Sequence, residues 1–456
     1  MTVKQRKKEM NAIAVPLMMQ SIAGLVIGLI DQAMIGRISL FAFGAVGTIA
    51  ALLYTFAGIL GYVSVAFNIR AAKTLGGNNK GNFYQEFANT LILNIFIGLL
   101  FVLVMLLFKR EIIIILFKFT DQTLEESLKY MAPMQFYLLL QLLLFNFSAY
   151  FKVKKQTKWI FYGATLAAVL NTVLNYILIF GKAGFPKMGV YGAGLATIAS
   201  LCVNLLIYIF AAKDDIKIAF ERAKLGITRI KSIIAESLPL MGQELVESSL
   251  FVLALNALLA RAGILELSGY LLAARIISIA LMPAYMYGTA CLTLIGEKFG
   301  QKDDEYLNNM PQIALFHALS FYMILGLIFI TFKNHIPGVL TNDADLLLYA
   351  SGLVLPLVLI NGANVCCQIF KYCMQAVNMS KFVLYATAKI NGISFLVMLG
   401  LFNIFKYKML AVYMGLMLNY ILLTILLMRK YYSRTTLKPN TCDHKQNRGQ
   451  SSVSLK

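Results

Sequence analysis

Histidine, cysteine and charged residues are scarce in this chain, and each scarcity excludes a class of protein. Among 456 residues there are 3 His and 6 Cys, and 14% of the residues are charged. The cysteines give neither a disulfide framework nor the spacing of a metal site. The chain also lacks the GxxxxGK[ST] loop that holds nucleotide phosphates. A disulfide-stabilised protein, an enzyme and an ATPase are therefore poor interpretations, and we expect no catalytic residues.

Long apolar stretches dominate what is present. The chain is 59% hydrophobic with a mean hydropathy of +0.73, which is typical of membrane proteins. A membrane-spanning helix needs about 20 apolar residues, and none of the stretches shows the alternation of an outer-membrane barrel. The sequence predicts an all-α membrane protein with twelve spans, near residues 12–36, 44–69, 87–108, 130–151, 159–181, 189–212, 233–258, 267–295, 311–332, 346–370, 382–405 and 409–428.

The basic residues are concentrated in alternate loops. The net charge is +20, and 27 of the 41 Lys and Arg fall in the segments that would share one side of the membrane. Those segments are 1–11, 70–86, 152–158, 213–232, 296–310, 379–381 and 429–456. The positive-inside rule places them, and both termini, in the cytoplasm. Because the charge is spread over many loops, nucleic-acid binding is a poor explanation for it.

The chain repeats itself after six spans. The motif PLMMQ at 16–20 recurs as PLMGQ at 239–243, which is 223 residues later, and a separation one residue longer relates Gly76 to Gly300. An even number of spans preserves orientation, so the halves are parallel repeats, an arrangement found in transporters with sites at the repeat interface. We expect an N-lobe (1–212), a cytoplasmic linker (213–232) that forms an amphipathic helix, a C-lobe (233–428) and a disordered cytoplasmic tail (429–456).

Asp31 is the main exception to the apolar character of the spans. A carboxylate inside a membrane helix costs roughly 2.5–3.5 kcal/mol even on insertion scales, and such groups usually bind an ion, a proton or a cationic ligand. At a rise of about 1.5 Å per residue, Asn175 and Thr197 lie at the depth of Asp31, and Asn171 lies one turn deeper. Their oxygens suit a hard cation such as Na⁺, or a tuned proton site. The alternative is that the amides and the hydroxyl only bond helices together.

Two further carboxylates lie in the seventh span. Glu244 and Glu247 are three residues apart and therefore near one face of a helix. Carboxylates that close repel each other, so we expect them to share a proton or a cation. The alternative is an ion pair with Arg275 in the next span. Lys371 lies near the inner end of its span, where it could extend to the interface, and it is given no role.

Polar groups of other spans complete the candidate set. Asn364 falls at a depth similar to that of Glu247 and could face it. Gln20 and Gln243, the repeated glutamines of the two PLMxQ motifs, are expected to line the central cleft, with simple packing as an equal alternative. Together with the acidic groups, these residues predict a transport path between the lobes.

Several motifs resemble the multidrug and toxic compound extrusion (MATE) family. They are NTVLNYILIFGKAGFPKMGVYGAGLATIAS at 171–200, the spacing of Pro16, Asp31 and Gly36, the AAKTLGGNN turn, and PLMGQELVESSLF in the seventh span. The resemblance runs from about residue 10 to about residue 430. It implies a V-shaped bundle of two six-helix lobes that exchanges organic cations or drugs for Na⁺ or H⁺.

The resemblance also implies roles for individual residues. Carried over by position, the N-lobe site comprises Asp31, Asn171, Asn175 and Thr197, although some members of the family have Asp where this chain has Asn175. In the C-lobe, Glu247 matches a carboxylate implicated in Na⁺ binding in the norfloxacin-extruding branch. Its Asp partner there corresponds to Asn364.

We therefore expect a multidrug efflux antiporter of the bacterial inner membrane that acts as a monomer on small cationic substrates. Na⁺ or H⁺ would be its coupling ion, and we expect no other cofactor. The alternative is a flippase for lipid-linked oligosaccharides from the related superfamily. A basic cavity for a diphosphate headgroup would favour the flippase, and an acidic cavity would favour cation export.

Overall fold

A computed structural model describes residues 2–221, 226–339, 343–405 and 407–436. Almost all of the described chain is helical. In chain order, the helices are α1 (Val3–Gly36), α2 (Leu40–Leu60), α3 (Tyr62–Gly76), α4 (Lys80–Phe117), α5 (Asp121–Met134), α6 (Tyr137–Val153), α7 (Lys158–Phe180), α8 (Gly189–Ala211), α9 (Lys213–Glu221), α10 (Ile227–Glu244), α11 (Val252–Ala260), α12 (Ile264–Gln301), α13 (Asp304–Thr331), α14 (Ala344–Ala376), α15 (Ser380–Ile404) and α16 (Lys408–Thr436). The π-helical segment Leu245–Phe251 joins α10 to α11, and a short 3₁₀ turn spans Pro337–Val339.

The helices confirm the all-α membrane fold. Among the described residues, eleven helical stretches are long and apolar enough to cross a membrane, and the bent pair α5 and α6 makes a twelfth, with an angle of 41° at the break. Two of the other spans contain a point at which the regular α-helix is interrupted. Gly61 separates α2 from α3, and the π-helical segment lies in the middle of the span formed by α10 and α11. Side chains around the π-helical segment therefore depart from the regular α-helical register.

The structure moves two of the expected boundaries. α10 begins at Ile227, six residues before the expected start of the C-lobe at 233, and α16 continues to Thr436, well into the expected tail. Hydropathy marks only the part of a helix that lies within lipid, whereas backbone hydrogen bonding continues into the polar interface. The remainder of the expected disordered tail, 437–456, lies outside the described residues, as does 222–225 of the linker.

The linker contributes a short helix that is anchored on the N-lobe. Asp215 of α9 accepts hydrogen bonds from Tyr84 at 2.7 Å and from Tyr150, and it pairs with Lys154 at 2.9 Å. Burial opposes the charged form, but these hydrogen bonds outweigh it and hold the pKa of Asp215 below its usual range. The anchoring is therefore present at neutral pH and lost as the pH falls through that lowered pKa.

Both ends of the described chain lie on one face of the bundle, which we call the terminal face. Arg6 near the start of α1 pairs with Glu305 of α13 at 2.6 Å, and Tyr431 near the end of α16 donates to the Leu307 carbonyl at 2.8 Å. Lys155, in the turn after α6, bridges Glu9 at 2.6 Å and Glu297 of α12 at 2.7 Å. Burial disfavours its charge, but the two carboxylates outweigh this and raise the pKa of Lys155.

The two lobes make their closest backbone contact at this face. A Cβ added at Gly76 would lie 1.9 Å from the Glu297 carbonyl oxygen, and one at Gly300 would lie 2.2 Å from the Lys73 carbonyl oxygen. The repeat pairs Gly76 with Gly300 and Lys73 with Glu297, so the two contacts are equivalent by the internal pseudo-two-fold. Only glycine permits so close an approach of two helix backbones.

The contact between the lobes is confined to one side. Among the described residues, the inter-lobe hydrogen bonds farthest from the terminal face are those of Ser21 with Met286 at 3.7 Å and of Tyr62 with Glu244 at 2.8 Å. Among the described residues, the inter-lobe hydrogen bonds are therefore concentrated in the half of the bundle that carries the terminal face.

Gly76→Ala should weaken the closed arrangement of the terminal face. The added methyl group meets backbone rather than a movable side chain, and overpacking of this kind costs about 1–3 kcal/mol. We expect the apparent melting temperature of the purified protein in detergent to fall by several degrees. Gly392→Ala is the matched control, since a Cβ there meets nothing within 4 Å. Equal melting temperatures for the two variants would contradict the close-contact interpretation.

Candidate functional site

The four polar residues expected at one depth of the N-lobe lie together. Asn175 of α7 donates from Nδ2 to Asp31 Oδ1 of α1 at 2.8 Å. Asn171, one turn earlier, satisfies its neighbours when its Nδ2 donates to Asp31 Oδ2 at 2.7 Å and its oxygen accepts from the Thr197 backbone N–H at 3.2 Å. The Asp31 carboxylate is thus held by two amides on one face of α7, and no cation is paired with it among the described residues.

The oxygens of this N-lobe cluster form a set that a cation can use. Asn175 is 2% exposed, and its Oδ1 is buried without a hydrogen-bond donor. The Thr197 hydroxyl donates to the Ala193 carbonyl at 3.0 Å, which leaves its lone pairs available. A carboxylate, an unpartnered amide oxygen and a hydroxyl fit a hard monovalent cation, and a proton on Asp31 would equally relieve its buried charge.

Two adjoining cavities lie in the N-lobe and at its border with the C-lobe. Cavity 1, of about 470 Å³, is lined mainly by N-lobe residues, among them Asp31, Asn171 and Thr197, and it meets the C-lobe only through Met286 and Thr289 of α12. Cavity 2, of about 310 Å³, is lined by Tyr62 and Glu244, among others. Both volumes are in the range of small-molecule sites. Four residues line both cavities: Phe145, Ser148, Lys152 and Thr289.

The structure separates the two glutamates that the sequence analysis grouped. Glu244 accepts from the Tyr62 hydroxyl at 2.8 Å and lines cavity 2. Glu247 instead accepts from Lys371 and, at 3.2 Å, from Gln368, both on α14. Glu244 ends α10 and Glu247 lies inside the π-helical segment that begins at Leu245, so the wider turn directs the two carboxylates to different neighbours.

The alternative that paired Glu247 with Arg275 is wrong, and the ion pair of Glu247 is with another residue. Arg275, the expected alternative partner, is exposed on α12 and forms no ion pair with any described residue. Lys371, which was given no role, is 3% exposed and pairs with Glu247. α14 continues to Ala376, so Lys371 lies inside the bundle rather than at the interface. Glu247 therefore already has a cation beside it, and that cation belongs to the protein.

Asn364 was expected to face Glu247 and Gln243 to line the central cleft, and the structure shows neither arrangement. Asn364 accepts from Gln368 at 3.2 Å and donates to Asn361 at 3.0 Å, so it reaches Glu247 only through Gln368. Gln243 is buried and accepts from Gln375 at 2.9 Å, and it is not among the residues that line the two cavities. Its repeat partner Gln20 does line cavity 1.

Lys152 is the residue of the cavities that sequence reasoning missed. It was assigned to the loop 152–158, but α6 continues to Val153 and carries Lys152 into both cavities. The signal was present in the sequence. Gln141, Phe145, Ser148 and Lys152 recur at spacings of three and four residues, which places them on one face of a helix. The helical spacing that relates Gln141, Phe145 and Ser148 therefore reaches Lys152 one turn later.

The comparisons with known proteins agree with this architecture. The MatE family model matches residues 16–177 and again 239–399, one match in each lobe. The probable multidrug resistance protein NorM of Thermotoga maritima is 25% identical over 76% of this chain and 74% of its own length. The probable multidrug resistance protein YoeA of Bacillus subtilis is 20% identical over 76% of each chain.

Solved structures show the same fold. A MATE crystal structure in complex with MaL6 superposes with a TM-score of 0.84 at 17% identity, over 94% of this chain and 96% of the other. An outward-facing multidrug resistance MATE transporter of the MOP superfamily gives a TM-score of 0.81 at 16% identity, with the same coverage. With a family model matched in both lobes around a cavity at the repeat interface, the chain belongs to the MatE family of multidrug and toxic compound extrusion transporters.

Proposed function

We propose that this transporter exports cationic drugs across the cytoplasmic membrane of a bacterium in exchange for Na⁺ or H⁺. The observation that carries the proposal is Asp31, a carboxylate in the wall of cavity 1 that no cation of the described chain neutralises. A group of this kind can bind a substrate cation and a coupling ion in turn. Competition for it links the two fluxes, because each ligand weakens the binding of the other.

The charge of the cavities favours drug export over the flippase alternative. The charged residues that line the two cavities are Asp31, Glu244 and Lys152, two carboxylates against one lysine. A diphosphate headgroup would require a cluster of basic groups at this place. An acidic surface instead attracts cations into the space between the lobes.

The bias of Lys and Arg places the terminal face in the cytoplasm. With the lobes joined there, the arrangement is outward-facing, and rocking about the Gly76 and Gly300 contacts would alternate access. Both lobes and the cavity between them come from one chain, so a monomer suffices. The chain has no nucleotide-binding loop, and the energy for export would come from the ion gradient.

We assign the coupling ion to the N-lobe. In the C-lobe, Lys371 already holds a positive charge at Glu247, so a further cation there would meet a neutral pair rather than a carboxylate. In the N-lobe, Asp31 has amide partners only, and the Oδ1 of one of these amides, Asn175, is buried without a donor. The residues that would hold Na⁺ are Asp31, Asn175 and Thr197, with Asn171 fixing the carboxylate.

Asp31→Asn should abolish gradient-driven export. The substitution preserves shape and removes the charge, and a hydrogen bond to a charged group contributes about 1.5–3 kcal/mol, so we expect efflux to fall by about tenfold or more. The measurement is ethidium efflux from proteoliposomes under a Na⁺ gradient alone and then under a pH gradient alone. The gradient that drives the wild type identifies the ion.

Glu111→Gln is the control for this experiment, because Glu111 is an exposed carboxylate of α4 away from both cavities. Full gradient-driven efflux by Asp31→Asn would refute the assignment of coupling to Asp31. If the wild type moved no cation under either gradient, cation export itself would be wrong, and transport of lipid-linked sugars would be tested next.

Lys371→Met should open a cation site that the wild type lacks. It leaves Glu247 without its counter-charge, and breaking a buried pair costs about 3–5 kcal/mol. We expect a lower apparent melting temperature that Na⁺, compared with choline, partly restores. Lys371→Met combined with Glu247→Gln should be more stable than the single variant and insensitive to Na⁺ at this site. A single variant as stable as the wild type would show that the Lys371 charge does not serve Glu247.

A further inference from the structure

Lys152 is a cation inside the transport path without a counter-charge. Its side chain lines both cavities, and its ammonium group forms no ion pair or hydrogen bond with any described residue. The neighbouring lysines of the chain differ in this respect, since Lys154 pairs with Asp215 and Lys155 pairs with Glu9 and Glu297. An uncompensated charge within a membrane protein is costly and usually marks a functional site.

The carboxylates of the same cavities do not neutralise it. Asp31 accepts from Asn175 at 2.8 Å, and Glu244 accepts from Tyr62 at 2.8 Å. Neither forms an ion pair with Lys152. The path therefore holds separated charges of both signs, with Asp31 in cavity 1, Glu244 in cavity 2 and Lys152 in the wall that the two cavities share.

A second donor without an acceptor lies in cavity 2. Asn68 of α3 is 2% exposed and accepts from Thr293 through Oδ1 at 3.1 Å, which leaves its Nδ2 buried without a partner. Asn68 lines cavity 2 together with Lys152 and Ser148. A buried donor without a partner costs about 1–3 kcal/mol. An ammonium group, an amide N–H and a hydroxyl are the groups that bind a carboxylate or another small anion.

We propose that Lys152 and Asn68 form an anion-binding subsite of the transport path. The substrate would then be an amphipathic zwitterion, whose protonated amine engages Asp31 or Glu244 while its carboxylate engages Lys152. This inference rests on the proposed export of organic cations and narrows its substrate class. A ligand with charges of both signs compensates both ends of the path, whereas a pure cation leaves Lys152 unpaired and brings a second positive charge near it.

Rhodamine B and its ethyl ester test the proposal, since they differ in one carboxylate. The ester is a pure cation and the more apolar dye, so an acidic, apolar cavity without an anion subsite should prefer it. We expect the wild type to export rhodamine B at least as fast as the ester in gradient-energised proteoliposomes. In Lys152→Met, the rate of rhodamine B export divided by that of the ester should fall by at least about tenfold, because one charge-assisted hydrogen bond to the carboxylate is lost. Lys152→Arg should restore most of this ratio.

Lys158→Met is the matched control, as Lys158 begins α7 outside both cavities and its substitution should leave the ratio unchanged. A second experiment tests the anion subsite even if Lys152→Met does not accumulate. Binding of each dye to the purified wild type is measured by the fluorescence anisotropy of the dye, and rhodamine B should bind at least as tightly as the ester.

Export of the ester with exclusion of rhodamine B would overturn the anion subsite and leave cation export standing. Equal slowing of both dyes in Lys152→Met would also overturn it, by assigning Lys152 to the lobes' own movement. Movement of neither dye by the wild type would refute the proposed export itself.

Discussion

The cost of an unneutralised charge in a medium of low polarity governs this structure. Each charged side chain inside the bundle must find a counter-charge, hydrogen bonds or a ligand. The pair of Lys371 and Glu247 satisfies this requirement within the protein. Asp31 satisfies it only with amides, and Lys152 has no partner among the described residues. A ligand therefore gains most free energy by binding where a buried charge of the protein lacks a counter-charge.

The same constraint makes the two repeats chemically unequal. Their backbones are related by an internal pseudo-two-fold, visible in the paired contacts of Gly76 and Gly300. Their intramembrane carboxylates nevertheless have opposite surroundings. In the C-lobe a lysine supplies the cation, whereas in the N-lobe Asp31 has only amide partners among the described residues. A neutral internal pair gains little from an ion gradient, so the asymmetry assigns the proposed coupling to one lobe.

The sequence predicted the spans and the N-lobe cluster because both depend on regular geometry. Apolar length defines a span, and a constant helical rise places Asp31, Asn175 and Thr197 at one depth. It could not predict the C-lobe partners, because the π-helical segment that follows Glu244 and contains Glu247 changes the register and leaves no mark in hydropathy. Lys152 was missed for a related reason. A boundary drawn where apolar residues end excludes a charged residue that still belongs to the helix and faces a polar cavity.

The closed terminal face combines contacts of two kinds, and their difference bears on transport. The backbone approach at Gly76 and Gly300 is close and short-ranged, so a small separation of the lobes removes it entirely. The ion pairs of Lys155 and Arg6 are partly buried, so separating them returns their charged groups to water and recovers hydration that burial had removed. A face held in this way can open at a modest cost. In the proposed transport cycle, compensation of the charge of Asp31 by a substrate or by an ion would offset the loss of these contacts.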